Sequence, residues 1–279
     1  EKLFRPSSVA VIGASQKKGK IGHDVLLNLI EYGYKGKIYP INPNDKEIMG
    51  LKAYPSVLEI KGDIDLAVFA IPAPTVPEVL KECGRKGVKA AIVITAGFKE
   101  TGPEGKKLET QLAETGKEFG IRILGPNCLG LICKESLLNA SFAGVLPLPG
   151  DIAFFSQSGA LCTAILDWAV KEKIGFSKFI SFGNKADISE TTLLKALGDD
   201  PDTKVILGYI EDVKDGQEFM RLAKEVTAKK PVIIYKAGGT KAGARAASSH
   251  TGSLAGSEAA FNAAFAQTGR PDWVSGNSS

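Results

Sequence analysis

Histidine is scarce in this chain, because among 279 residues only His23 and His250 carry an imidazole. His250 lies in the run ASSHTGS at 247–253, where residues with little side-chain bulk flank it on both sides. A neutral imidazole nitrogen can attack a phosphoryl group, and small neighbours leave it accessible and free to move. The pattern therefore favours a covalent phosphohistidine at His250. His23 lies at the start of the first helical segment and is interpreted as structural or as a minor phosphate contact.

A phosphorylated histidine needs a carboxylate on its other ring nitrogen, which fixes the tautomer and supports the developing positive charge. Glu211 is the best candidate, since it directly follows an apolar strand predicted at 204–210. In an open α/β sheet, ligands bind at the carboxyl ends of the strands, where Glu211 is expected. Asp212 is adjacent, and an acidic pair that begins a helix is the alternative interpretation.

The charge of a phosphoryl group also needs hydrogen-bond donors nearby. The turn SQSG at 156–159 connects a predicted strand to a predicted helix, so its hydroxyls and first-turn amides can bind an oxyanion. Two alternatives remain open. Ser158 could serve only as the N-cap of the helix. A nucleophilic serine is less favoured, because the turn is not G-x-S-x-G and only one histidine is available in this half of the chain.

A second loop suited to anions follows the first predicted strand, at 13–22 (GASQKKGKIG). It lacks the G-x-G-x-x-G spacing of a dinucleotide site, and the second strand ends in YPINP without a carboxylate for a ribose hydroxyl. NAD is therefore disfavoured. Lys17, Lys18 and Lys20 suit a ligand with several separated phosphates. A solvated basic turn is the alternative.

The elements that position these residues alternate along the chain in the manner of a parallel sheet covered by helices. Strands are predicted at 8–12, 37–41, 66–71, 90–95 and 122–124, and again at 152–155, 178–182, 204–210 and 231–235. Helices are predicted at 24–32, 75–86, 104–119, 160–173, 190–197, 216–228 and 257–267. We therefore expect an α/β fold with two tandem domains, at 1–146 and 147–279. Residues 269–279 are expected to be irregular, and Glu1 in place of Met to reflect a trimmed start.

Composition sets outer limits on function. With 44% hydrophobic and 24% charged residues, the chain is typical of a soluble globular protein, and no apolar run approaches the length of a membrane span. The net charge of +4 is small and dispersed, which excludes a nucleic-acid-binding class.

Cysteine usage bears on the compartment. The cysteines are Cys83, Cys128, Cys133 and Cys162, which form neither a C-x-x-C pair nor a disulfide framework. We interpret them as buried small apolar side chains, expect no metal site, and expect a reduced cytoplasm because no signal peptide is evident.

Eight segments together carry a family resemblance: FRPSSVAVIGAS, YPINPN, FAIPA, ITAGF, LGPNCLG, FFSQSGAL, ISFGNKADI and AASSHTGSLAGS, over residues 4 to 268. As an ordered set they resemble the α subunits of the nucleoside-diphosphate-forming acyl-CoA synthetases, and more distantly succinyl-CoA synthetase α. The resemblance implies a Rossmann-like CoA-binding domain followed by a flavodoxin-like ligase-type domain.

The resemblance also implies roles for residues. The implied CoA contacts are Gly13, Ala14, Ser15, Lys20, Asn42, Pro43, Ile71, Pro72 and Ala96. The implied phosphate and acyl contacts are Ser156, Gln157, Ser158, Gly159, Asn127, Gly183 and Asn184. His250 is implied as the phosphorylated residue, with Glu211 as its stabilising carboxylate.

By this resemblance, phosphate attacks an acyl-CoA thioester, and His250 takes the phosphoryl group from the acyl phosphate and carries it to ADP. No nucleotide-grasp (ATP-grasp) domain is evident, so ADP or ATP with Mg²⁺ is expected on a β subunit or a missing domain, in a hetero-oligomer. Two alternatives from other classes stay open: a CoA-binding regulatory module without turnover, and an NAD-linked oxidoreductase suggested by fold class alone.

Overall fold

The structure is a computed structural model that describes residues 2–237. The predicted phosphohistidine His250 and the helix predicted at 257–267 lie outside the described residues. The strands are β1 (Ser8–Ile12), β2 (Lys37–Ile41), β3 (Glu47–Ile48), β4 (Leu51–Lys52), β5 (Leu66–Phe69), β6 (Ala90–Val93), β7 (Arg122–Leu124), β8 (Gly130–Cys133), β9 (Leu138–Ser141), β10 (Leu148–Ser156), β11 (Gly175–Ser181), β12 (Val205–Ile210) and β13 (Val232–Lys236).

The helices are α1 (Ile21–Glu31), α2 (Val76–Lys86), α3 (Pro103–Phe119), α4 (Gly159–Lys171), α5 (Glu190–Gly198) and α6 (Gly216–Thr227). Short 3₁₀ turns lie at Val57–Glu59, Ala73–Thr75 and Lys99–Thr101. Every strand and helix predicted before residue 238 is present, with shifts mainly at the ends. The α/β fold class is confirmed.

The first sheet is parallel throughout, with the order β2-β1-β5-β6-β7. β1, β5 and β6 are buried along their whole length, which explains why they are nearly continuous apolar runs rather than alternating ones. β1 lies between β2 and β5, so the direction in which successive strands are added to the sheet reverses at β1. The crevice for a ligand therefore opens at the carboxyl ends of β1 and β5, where the 13–22 loop begins.

The second sheet has six strands in the order β13-β12-β10-β11-β8-β9. β10 to β13 are parallel, whereas β8 pairs antiparallel with β11 and β9 antiparallel with β8. The sequence patterns did not predict β8 and β9. Sheet membership changes between β7 and β8, and the division at residues 146 and 147 stays a prediction.

Among the described residues, one of three hydrophobic clusters spans both sheets. This cluster of buried side chains includes Val9 and Leu124 from the first sheet and Phe155 and Ile206 from the second. Asn28 on α1 adds polar contacts, since its Nδ2 donates to the carbonyl oxygens of Ser141 at 2.8 Å and Ala143 at 3.0 Å. The two sheets are thus packed against each other at a fixed interface.

Among residues 2–237, no helix has both the length and the apolar character that crossing a membrane would need. All four cysteines are buried free thiols, and burial raises the pKa of Cys128 and of Cys162 to about 12. A raised pKa disfavours the thiolate, so burial lowers the reactivity of Cys128 and Cys162.

Candidate functional site

The carboxyl ends of the two sheets meet around a cavity of about 440 Å³. Its lining comes from both halves of the chain: Ile21, Ile94, Ala96, Lys99, Asn127, Cys128, Leu129, Phe142, Gln157, Ser158, Gly159, Ala160, Thr163, Gly183, Asn184, Glu211 and Asp212. Except for Ser156, every residue predicted to contact phosphate or the acyl group is in this set. Glu211 lines the cavity too, so the structure brings together most of the residues predicted to contact phosphate and the carboxylate predicted to stabilise the phosphohistidine.

The turn before α4 is shaped by its own serines. The Ser156 side chain is fully buried, and its Oγ accepts a hydrogen bond from the Ser158 amide at 3.0 Å and donates to the Ser158 carbonyl at 3.0 Å. Ser158 is the N-cap of α4, with its Oγ accepting from the Leu161 amide at 3.2 Å. Capping leaves the amides of Gly159 and Ala160, which line the cavity, without intrahelical acceptors. The helix start is thus suited to an anion.

Two tight turns form the wall opposite α4. Asn127 and Gly183 both have left-handed backbones, with φ of 56° and 51°. A Cβ atom at Gly183 would overlap the carbonyl oxygens of Pro126 and Asn127, so only glycine allows this approach. The Asn184 amide donates to the Pro126 carbonyl at 2.9 Å, and Asn127 Nδ2 donates to Asn184 Oδ1 at 3.3 Å.

Asn184 lies at the centre of a polar network that sequence reasoning missed. Its Nδ2 donates to Glu100 Oε2 at 2.6 Å and to Glu109 Oε2 at 2.8 Å. Lys99 Nζ donates to the Asn184 carbonyl and lies 3.5 Å from Glu109 Oε1. Burial alone would raise the pKa of Glu100, but hydrogen bonds from Asn184 and from backbone amides hold it below its ordinary value. The only local signal in the sequence was the run FKE at 98–100, which follows the strand predicted at 90–95.

Glu211 follows β12 as predicted, and its backbone is held by two side chains. Gln157 Oε1 accepts from the Glu211 amide at 2.6 Å and from the Asp212 amide at 3.2 Å. Lys236 Nζ donates to the Glu211 carbonyl at 2.6 Å. Gln157 Nε2 donates to Asp212 Oδ1 at 2.5 Å, so both polar ends of this side chain contact residues 211 and 212.

Asp212 in turn is paired with Lys185, which is buried. Lys185 Nζ lies 2.9 Å from Asp212 Oδ1, donates to the Asp212 carbonyl at 2.9 Å and lies 3.1 Å from Glu190 Oε2. Burial alone would raise the pKa of the Asp212 carboxyl, but Lys185 and the Gln157 hydrogen bond outweigh it and hold the pKa below its ordinary value. Asp212 is therefore an anion at neutral pH.

The residues predicted to contact CoA lie along the carboxyl ends of the first sheet. The Gly13 amide donates to the Ile41 carbonyl at 3.0 Å, and Asn42 Nδ2 donates to the Ala14 carbonyl at 2.9 Å. A Cβ atom at Gly22 would overlap the Gly13 carbonyl, so glycine at this position allows the start of α1 to pack closely against the loop. Ser15 is half-buried in the same loop.

Exposed side chains border this edge. Lys17, Lys18 and Lys20 are all exposed, which fits both a site for separated phosphates and a solvated basic turn. Pro43 and Pro72 are exposed and Ile71 is half-buried at the ends of neighbouring strands. Ala96 lies both at the carboxyl edge of the first sheet and at the cavity, because it is exposed after β6 and also lines the cavity. It connects the first-sheet edge with the start of α4.

His23 is buried on α1, with Nδ1 at 3.0 Å from Asp24 Oδ1, and it does not line the cavity. This placement agrees with the structural interpretation of His23.

Comparisons with known proteins match both halves of the chain. A model of the family described as "CoA binding domain" matches residues 7–134, and one described as "Succinyl-CoA ligase like flavodoxin domain" matches residues 149–271. The subunit alpha of acetate–CoA ligase (ADP-forming) I of Pyrococcus furiosus is 55% identical over 273 residues, covering 96% of this chain and 59% of that protein. The 4-hydroxybutyrate–CoA ligase (ADP-forming) of Nitrosopumilus maritimus is 45% identical, with 96% and 39% covered.

Among solved structures, the dinucleotide-forming acetyl-coenzyme A synthetase 1 of Ca. Korarchaeum cryptofilum, in complex with phosphate and ADP, superposes with a TM-score of 0.95 at 46% identity. The match covers 100% of this chain and 59% of that one. The chain therefore spans well under two thirds of the length of these similar proteins.

Proposed function

The chain belongs to the family of nucleoside-diphosphate-forming acyl-CoA synthetases, and on this premise we propose that it is the α part of an ADP-forming acyl-CoA ligase. The proposed reaction converts acyl-CoA, phosphate and ADP into a carboxylic acid, CoA and ATP. The observation that carries the proposal is the cavity itself, where Ala96 at the CoA edge, the start of α4 and Glu211 line one space.

In the first proposed step, CoA lies along the carboxyl ends of the first sheet, with its thioester at Ala96. Phosphate binds at the amides of Gly159 and Ala160, where the positive end of α4 favours an anion. A phosphate oxygen attacks the thioester carbonyl carbon, the C–S bond breaks, and CoA leaves as the thiol after taking a proton. The product is an acyl phosphate held in the cavity.

In the second step, one ring nitrogen of His250 attacks the phosphorus atom. The bond from phosphorus to the acyl oxygen breaks, and the carboxylate leaves. Glu211 accepts the hydrogen bond from the other ring nitrogen and stabilises the cationic phosphohistidine. The residues that flank His250 in the sequence have small side chains, which favours access of its ring to a phosphoryl group.

In the third step, the phosphoryl group passes to ADP with Mg²⁺ on an ATP-grasp partner subunit, or on a further part of the polypeptide. The name "subunit alpha" of the Pyrococcus furiosus protein and the ADP in the Korarchaeum complex support this division of labour. We therefore propose a hetero-oligomer in the cytoplasm, with no metal site needed on this chain.

Labelling with acetyl [³²P]phosphate tests the phosphohistidine without any partner, since this reagent enters at the second step. We expect acid-labile label on His250 in the wild-type chain and none in His250→Ala. Equal labelling of both would overturn the proposal.

Cleavage of acetyl-CoA by arsenate, which replaces phosphate, tests the first step. CoA binding without either reaction would favour the alternative, a CoA-binding regulatory module.

A further inference from the structure

We propose that Gln157 and Lys185 are positioning residues that hold Glu211 for its histidine partner, an inference that rests on the proposed function above. Neither residue is assigned such a role by the resemblance, which implies Gln157 only as a phosphate contact and does not include Lys185. Because the Glu211 carboxylate is proposed to accept a hydrogen bond from His250, a fixed backbone at residue 211 would hold that carboxylate ready for the reaction.

The Gln157 side chain accepts hydrogen bonds from the backbone N–H groups at residues 211 and 212. The amides of Glu211 and Asp212 both donate to its Oε1, at 2.6 and 3.2 Å, while its Nε2 donates to Asp212 Oδ1 at 2.5 Å. Its own amide donates to the Tyr209 carbonyl at 3.1 Å, which joins the end of β10 to the end of β12. Asp212 takes one of the two N–H donors of Nε2, and the amide oxygen, which cannot donate to phosphate, already has two partners.

Lys185 holds the next residue. Its ammonium is within 2.9 Å of both Oδ1 and the carbonyl oxygen of Asp212, and within 3.1 Å of Glu190 Oε2. Glu190 uses its other carboxylate oxygen to accept from the Lys214 amide at 3.0 Å. Lys185 therefore holds the 211–214 loop at two atoms of Asp212, and Glu190 at the start of α5 holds it at the Lys214 amide.

The placement of Lys185 argues for more than stability. Its side chain is only 4% exposed, and its backbone is left-handed with φ of 52°. A buried charge and a left-handed non-glycine residue are both unfavourable, and they persist where the surroundings require one geometry. Lys185 also directly follows Asn184 in the turn that lines the cavity, so the same turn supplies both the wall and the anchor.

A second buried lysine provides a matched control. Lys178 is 3% exposed and pairs with Asp200 at 2.6 Å, but neither residue lines the cavity. Lys178→Met and Lys185→Met both remove one buried ammonium from a carboxylate in the same sheet unit. A purely structural role predicts similar losses for the two variants, whereas a positioning role predicts a catalytic loss only for Lys185→Met.

The experiment is a double-mutant cycle on the rate of His250 labelling by acetyl [³²P]phosphate in the full chain. Lys185→Met and Gln157→Met are each expected to lower the rate at saturating reagent by about tenfold, with the half-saturating concentration unchanged. In a Glu211→Ala background neither substitution should lower the rate further, because the carboxylate they position is gone. Lys178→Met should label at the wild-type rate.

Each other result overturns the inference. Wild-type rates in both single variants would remove the positioning role, and so would effects that add fully to that of Glu211→Ala. A raised half-saturating concentration in Gln157→Met would make Gln157 a phosphate ligand instead. If Lys185→Met does not fold, the Gln157→Met arm decides the question. Absence of label in the wild-type chain would overturn the proposed function as well, which separates that failure from this one.

Discussion

Gln157 illustrates how the role of a side chain depends on the partners of its two polar ends. The resemblance implies Gln157 as a phosphate contact, and in the structure its side-chain oxygen and nitrogen contact residues 211 and 212. Glu100 is the converse case, because no pattern predicted it and it accepts hydrogen bonds from Asn184 and two backbone amides. At this scale the chemistry follows from contacts that are distant in sequence.

Gly183 is the residue at which the shape of the cavity is most sensitive to one added carbon. We expect Gly183→Ala to lower the free energy of unfolding by about 2 to 4 kcal/mol, because alanine meets both a left-handed backbone and two carbonyl oxygens. Urea denaturation measures this. Gly216→Ala is the control, since a Cβ there meets nothing within 4 Å, and it should stabilise by roughly 0.5 kcal/mol. Equal changes in the free energy of unfolding for the two variants would show that the turn at Gly183 does not require glycine.

Asp212 makes stability depend on pH. Its pKa is held below the ordinary value in the folded state, so its contribution is full above about pH 4 and is lost as pH falls through the folded pKa. We expect the wild type to exceed Asp212→Asn in free energy of unfolding at pH 6, and the difference to shrink towards pH 3. Denaturation at a series of pH values tests this, and a difference that stays constant would show that Asp212 is not ion-paired.

At the scale of elements, α4 and α5 start in similar ways but have different neighbours. Ser158 and Ser189 are both N-cap serines, accepting from Leu161 and Thr192 amides at 3.2 and 3.4 Å. Only Ser158 lines the cavity. Substitutions at the two caps therefore distinguish the stability that a cap contributes from a role in binding an anion.

Ser158→Ala and Ser189→Ala should each cost about 1 kcal/mol of stability, the ordinary value of a lost N-cap. Only Ser158→Ala is expected to slow labelling by acetyl phosphate, by about tenfold, because the disturbed α4 start is where phosphate is proposed to bind. Thermal unfolding and labelling rates measured side by side decide this. A wild-type labelling rate in Ser158→Ala would place the anion elsewhere.

At the scale of the whole molecule, the cavity is lined from both halves of the chain, and a hydrophobic cluster spans both sheets. The cluster that contains Val9 and Phe155 is continuous, and α1 contacts the loop after β9 through Asn28. Packing of this kind couples the two units, so we expect them to unfold in a single cooperative transition. Calorimetry tests this, and two resolved transitions would contradict a shared core.

Asn28→Ala should lower the free energy of unfolding by about 2 kcal/mol, since it removes two buried hydrogen bonds from α1 to the end of β9 and the loop that follows it. Asn44→Ala is the control, because that residue is exposed, and its effect should stay within about 0.5 kcal/mol. Denaturant unfolding of both variants provides the comparison. Similar values for the two would show that the interface does not depend on Asn28.

The sequence by itself determined the alternation of strands and helices, the α/β class and the turns at strand ends, since apolar periodicity and glycine placement are local properties. It also pointed to Glu211 and to the start of α4, because the carboxyl ends of parallel strands lie at one edge. Only the tertiary structure decided that β8 and β9 join the second sheet. It alone brought Lys99 to the cavity, placed Glu100 and Lys185 against the lining residues Asn184 and Asp212, and engaged both ends of Gln157. Hydrogen bonds and ion pairs between distant segments leave no periodic trace in the chain.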